Sequence, residues 1–146
     1  MSKIKGIYAA TLSILNEDLS LNIQKTILHA EKIINQGCHG VAFFGSTGQA
    51  QLIPVSEKIN LLNSISTHKN KDNFIIGTGL NSLVETINLM KVATSLNFKK
   101  FLIMPPAYYK YGDKEAFSFY SKIVNEYPTQ RLFYIILKNW VDISLV

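Results

Sequence analysis

Apolar runs recur along the chain at intervals of roughly thirty residues: GIYAATL at 6–12, GVAFF at 40–44, NFIIG at 73–77, KFLIM at 100–104 and RLFYIIL at 131–137. Each has the length of a strand, and none alternates cleanly between apolar and polar positions. That is how strands buried on both faces of a parallel sheet read. Between them the period changes to that of amphipathic helices. Ile23, Ile27, Ala30 and Ile34 form one helical stripe. Pro54 suits the first turn of a second helix carrying Ile59 and Leu62. Ser82 and Glu85 have capping-box spacing ahead of Ile87, Met90 and Ala93. Asp113 is the candidate cap of a fourth helix carrying Phe117, Tyr120 and Val124.

The order is therefore β-α-β-α-β-α-β-α-β, an α/β chain of about five strands and four helices. Such alternation implies a parallel sheet with right-handed crossovers. Two architectures satisfy it: an open doubly wound sheet, and part of a (β/α)8 barrel. Both put function at the carboxyl ends of the strands, so the strand exits are where chemistry is expected.

Composition narrows the class. A chain of 146 residues with 47% hydrophobic and 17% charged residues is globular and suits one domain. No apolar run approaches the length of a membrane span, and the N-terminal MSKIKGIYAATLSIL reads as a first strand and its loop rather than an export signal. The lone Cys38 allows no internal disulfide, which makes a cytoplasmic location the expectation. The net charge of +5 raises nucleic acid as a partner, but the lysines are scattered and no basic stripe interleaves with aromatics. They read as solvated lysines on helix ends and loops. His29 and His68 read as surface residues, and Cys38 with His39 makes no metal site.

The exits carry hydroxyls and small residues. Strand two leaves through Gly45, Ser46, Thr47 and Gly48; strand three through Gly77, Thr78, Gly79, Leu80 and Asn81; strand four through Pro105, Pro106, Ala107, Tyr108 and Tyr109. Strand five carries Tyr134. There is no acidic pair, no His cluster and no metal spacing. GSTG is not followed by Gly-Lys-Ser/Thr, and GTGLNS lacks the glycine spacing of a dinucleotide fingerprint. Two readings stand on spacing alone: a cradle of hydroxyls and amides for a small anion such as a carboxylate, or plain glycine-rich turns.

GVAFFGSTGQAQLIPVSEK, GTGLNSLVETINLMKVA and KKFLIMPPAYYKYGDKEAFSFYSKI, in this order, resemble the dihydrodipicolinate synthase and N-acetylneuraminate lyase family. The resemblance runs from Gly6 to about Tyr134. It implies a truncated (β/α)8 TIM barrel for residues 1–134, and pyruvate-dependent lyase or aldolase chemistry through a Schiff base, with no cofactor. It assigns the carboxylate of the pyruvate-derived adduct to Ser46 and Thr47, with Gly45 and Gly48 letting the backbone come close. Hydroxyls and amides hold a carboxylate without a fixed cation, which leaves neighbouring Schiff-base chemistry undisturbed. Gln49 stands where the family usually has Glu. Tyr109, favoured over Tyr108, takes the proton-relay position, and Tyr134 matches the strand-five Tyr that passes protons to and from substrate. For Tyr134 a core aromatic is the competing reading. The partner implied is a pyruvate-like 2-oxo acid, and the family's dimers and tetramers make a homo-oligomer an expectation.

After Tyr134 the match fails. YIILKNWVDISLV has no polar or proline-containing exit, and Ile135, Ile136 and Leu137 stand where a turn is due. Residues 135–146 read as a divergent tail, consistent with a reading-frame shift or a truncated gene. The family's Schiff-base lysine belongs to a sixth strand, and no lysine here takes its place; Lys138 is close in sequence but wrongly positioned. Hydroxyls bind and shuttle protons but supply no electron sink. The expectation is a homologue inactive alone, with open sheet edges at strands one and five. The alternative is a non-catalytic binding module that uses the carboxylate cradle or those edges.

Overall fold

The expected alternation forms: β1 (Tyr8–Ala10), α1 (Ile23–Asn35), β2 (Gly40–Phe43), α2 (Val55–Ile65), β3 (Phe74–Gly77), α3 (Leu83–Ser95), β4 (Lys100–Ile103), α4 (Asp113–Glu126) and β5 (Arg131–Tyr134). The computed structural model describes residues 5–107 and 110–135. All five strands are parallel, in the order β1-β2-β3-β4-β5, and the sheet is not closed. The ladder runs one residue beyond β5, because Ile135 N donates to Ile103 O at 2.9 Å.

Burial explains the missing alternation in the sequence. Every residue of β2 and β3 is buried, whereas β1 and β5 are only partly so. The two faces still differ. Val41, Phe43, Phe74, Ile76, Phe101 and Ile103 join the core beneath the helices, together with Leu61, Leu62, Leu89 and Met90. The intervening Ala42, Ile75 and Leu102 occupy the opposite, inner face, as the two-residue period of a strand requires. One face packs on helices and the other, with Ala42 and Ile75, is also buried, so both sets are apolar.

The helix signals hold with small displacements. The α1 stripe is correct: Ala30 is buried, and Ile23, Ile27 and Ile34 pack on the core. Ser82 caps α3, its Oγ accepting from Glu85 N at 3.3 Å. Pro54 is the N-cap of α2 rather than its first turn. At α4 Gly112 takes the cap position instead of Asp113, and Glu115 Oε2 accepts from Gly112 N at 3.0 Å. The α4 stripe itself is displaced. Ile123 is buried and Phe119, Tyr120 and Tyr127 pack on the core, while Phe117 is 74% exposed. The apolar arc of α4 is broad, and periodicity does not select which part of it docks.

Candidate functional site

The exits of β1, β2 and β3 are fastened to one another by backbone. The segment after β2 begins and ends with non-glycine residues in the left-handed region, Phe44 (φ 55°) and Gln49 (φ 51°). For a buried phenylalanine this is an unfavourable backbone region that the surrounding packing imposes. A turn closes between them, with Gln49 N donating to Ser46 O at 3.0 Å. Gly48 lies against the β1 exit: a Cβ there would come within 2.9 Å of Thr11 O. Ser13 Oγ donates to Gly48 O at 2.6 Å. A Cβ on Gly77 would overlap the carbonyl oxygen of Phe44, and one on Gly79 (φ 53°) would overlap Ala50. At Gly45 the nearest atom to such a Cβ is Leu102 Cδ2 at 3.7 Å, an ordinary contact. Gly48, Gly77 and Gly79 are therefore required by packing within the protein, and Gly45 is not.

Ser46 and Thr47 are exposed between the buried Gly45 and Gly48. Among the described residues neither hydroxyl has a partner, and no group accepts from either amide. Two hydroxyls and two N–H groups at the exit of β2 are thus without a partner among the described residues. Asn81 links the neighbouring exits. Its Oδ1 accepts from Ala107 N at 2.9 Å and from Gln51 Nε2 at 3.4 Å. Neither this role of Asn81 nor that of Ser13 follows from spacing, since both partners are distant in sequence.

The β4–β5 side is aromatic. Tyr134 stands edge-on to Tyr120 of α4, with ring centroids 4.5 Å apart. Register pairs Tyr134 with Ile103, so it projects from the helix-side face rather than the face of Ala42, Ile75 and Leu102. Tyr120 donates through its hydroxyl to Ile135 O at 2.7 Å. Burial raises the pKa of Tyr120 above the ordinary phenol value, and the neighbouring Tyr111 and Tyr134 add to the shift. Burial raises Tyr111 and Tyr134 as well. Burial of this kind disfavours the phenolate and keeps these rings protonated. Tyr109, the other relay candidate, and Tyr108 lie outside the described residues.

Two residues correct the expectation of a solvated polar surface. Lys58 of α2 is completely buried, its Nζ donating to Thr78 O at 2.7 Å. His68 is only 14% exposed at its side chain and lies 3.0 Å from Glu31 Oε1. The heptad-like position of Lys58 beside Leu61 and Leu62 was the available signal; its polarity concealed it. Among the described residues no group of His, Cys, Asp and Glu is arranged to hold a metal, and no helix is long and apolar enough to cross a membrane.

A parallel sheet with crossover helices and a polar face at its carboxyl ends is the arrangement of part of a (β/α)8 barrel. The profile of the dihydrodipicolinate synthetase family matches residues 3–138, and the chain belongs to that family. It is 31% identical over 137 residues to the N-acetylneuraminate lyase of Fusobacterium nucleatum, covering 91% of this chain and 47% of the relative. It is 31% identical over 115 residues to an uncharacterized DapA-like lyase of Chloroflexus aurantiacus, covering 78% of this chain and 38% of the relative. The fold superposes with a TM-score of 0.80 on a prophage protein of the dihydrodipicolinic acid synthase family from E. coli K12, solved in complex with pyruvate. That match has 21% identity and covers 91% of this chain and 45% of the other. The chain spans less than half the length of these relatives.

Proposed function

We propose that this chain forms the carboxylate-binding part of a pyruvate-dependent lyase or aldolase. The observation that carries the reading is the exposed Ser46–Thr47 turn at the carboxyl end of β2, whose hydroxyls and amides have no partner among the described residues. Membership of the family, and a family structure holding pyruvate, support a 2-oxo acid as the ligand. In this reading the carboxylate accepts from Ser46 and Thr47, and the carbonyl points toward the inner face above Leu102, where Gly45 leaves room. Tyr109 and Tyr134 are the proton carriers. For Tyr134 that role requires its ring to leave Tyr120, because the contact directs it to the helix side.

The chemistry needs an amine on the ketone carbon. The 146 residues supply no counterpart of the family's strand-six lysine, so the chain is proposed to bind pyruvate reversibly without aldol turnover by itself. The test is pyruvate titration by ligand-observed NMR, followed by borohydride reduction and mass spectrometry. The expected result is saturable binding, weakened about tenfold or more in Thr47→Val, and no reduced adduct. A reduced pyruvate adduct on any lysine, or retro-aldol turnover, sinks the reading.

One observation favours a second reading, a non-catalytic interaction module. Among the described residues β1 pairs only with β2, and β5 only with β4. Among the described residues no strand pairs on the outer side of β1, and that edge is the one offered to another chain. The readings part when the chain is mixed with the C-terminal segment of a family relative carrying the lysine. Turnover supports the lyase reading, and association without turnover supports the module.

A further inference from the structure

Lys58 is the buried group that the reading above leaves unused. Its side chain is fully enclosed, and among the described residues its ammonium makes one hydrogen bond, to Thr78 O at 2.7 Å. It also lies 5.6 Å from the centre of the Phe44 ring. Thr78 is itself fully buried, and its Oγ1 has no partner among the described residues. A buried ammonium offers three donors, so two are left over here, next to an orphaned hydroxyl. Satisfied buried groups are the rule, and each exception calls for an explanation, a ligand-related role among them.

Among the described residues no anion is paired with this charge. β2 and β3 contain no titratable side chain. Glu57 on α2 is bonded to Leu21 N at 2.8 Å. Glu31 on α1 is paired with His68, and Glu85 at the start of α3 is exposed. Burial alone accounts for the lowering of the Lys58 pKa to about 8, with no charged neighbour acting on it. The lone cation lies where the β2 and β3 exits touch. Gly77, one residue before Thr78, abuts the Phe44 carbonyl, and Phe44 is two residues before Ser46.

We infer that Lys58 is a positioning residue for anion capture: its buried ammonium supplies the positive potential that the Ser46–Thr47 cradle lacks, and it locks the β3 exit in place through Thr78 O. The inference rests on the carboxylate reading of that cradle. A charge beneath a water-poor layer is screened weakly, so it favours an anion at the surface without touching it. Capture and protonation are then linked. A bound carboxylate favours the ammonium form, and deprotonation of Lys58 weakens binding.

The experiment is pyruvate affinity of the full chain between pH 6.5 and 9.5, with the titration of Lys58 followed by NMR with and without pyruvate. The expected result is an affinity about tenfold weaker at the upper pH, and a Lys58 pKa raised by about one unit on binding. Lys58→Met should bind about tenfold more weakly at pH 7 and show no slope with pH. A purely structural lysine would leave the pH profile of the wild type flat. A wild-type chain that binds no pyruvate at any pH ends the cradle reading and this one together. Binding that is equal across the range, or a Lys58 pKa unmoved by pyruvate, ends this one alone. The NMR arm uses the wild type and does not depend on the variant folding.

Discussion

The two ends of the sheet are held by different physics. At the β1–β2–β3 end, backbone touches backbone: Gly48 against Thr11, Gly77 against Phe44, Gly79 against Ala50, with Lys58 bridging to Thr78. At the β4–α4–β5 end, rings and phenols make the contacts. Tyr120 meets Tyr134 and Phe119 edge-on, and the hydroxyls of Tyr120 and Tyr127 reach Ile135 O and Ile87 O. Backbone contacts of that closeness cannot yield by rotamer changes, whereas aromatic contacts can. The lesson is that the Ser46–Thr47 turn, proposed above to hold a carboxylate, is built on the rigid end, and Tyr134, proposed to carry protons, on the adaptable one. A fixed binding turn and movable phenols suit a site in which the carboxylate stays while protons move.

The sharpest way to break this comparison is a methyl group at each end. Gly77→Ala should cost about 3 kcal/mol or more, because the Phe44 carbonyl has no room to move. Urea denaturation measures it, and a midpoint equal to that of the wild type would refute the rigid-end picture. The matching change, Gly112→Ala, should cost less than about 1 kcal/mol, since the new methyl meets only the mobile carboxylate of Glu115.

Next in size is the pH dependence of stability, where the ends should oppose each other. Lys58 has a folded-state pKa of about 8 against an ordinary value of 10.5. Between these values the unfolded chain binds more protons, so Lys58 makes stability rise with pH, by up to about 3 kcal/mol. The raised tyrosines act the other way: above the ordinary phenol pKa of 10.0 the unfolded chain ionises first, and stability falls. Thermal melts from pH 7 to 11 should pass through a maximum. In Lys58→Met the rise should vanish while the fall persists. At pH 7 that variant should lie within about 1 kcal/mol of the wild type, because the orphaned Thr78 carbonyl offsets relief from a buried charge. A wild type that loses stability steadily from pH 8 would contradict the assignment.

The smallest effect concerns the adaptable end alone. Tyr120→Phe keeps the ring and loses the bond to Ile135 O, for about 1 kcal/mol. Hydrogen exchange should then show faster opening at Ile135 than at Thr78. Equal acceleration at both would mean that the two ends do not behave separately.

Much of this molecule was legible in advance. The five strands, the helices between them, the Ser82 cap and the placing of GSTG at a strand exit all follow from local patterns of a few residues. Local propensity and period are written in adjacent positions, and the family motifs are contiguous. What escaped involves contacts between distant positions. Lys58 reads as a solvated lysine until α2 is laid on β3 and closes over it. The exposed Phe117 and the buried Ile123 could exchange roles on period alone; the docking of α4 on β4 and β5 chooses.

By itself, then, the sequence determined the strand–helix order, the family and the residues at each strand exit. Strand length, helix period, turn glycines and contiguous motifs are local quantities. Only the tertiary structure decided that Phe44 adopts a left-handed backbone, that Tyr134 faces α4, and that a buried ammonium reaches the β3 exit at Thr78 O. Each depends on which strand lies beside which and in what register. That is a property of long-range packing, where burial and steric overlap outweigh the intrinsic preference of the residue concerned.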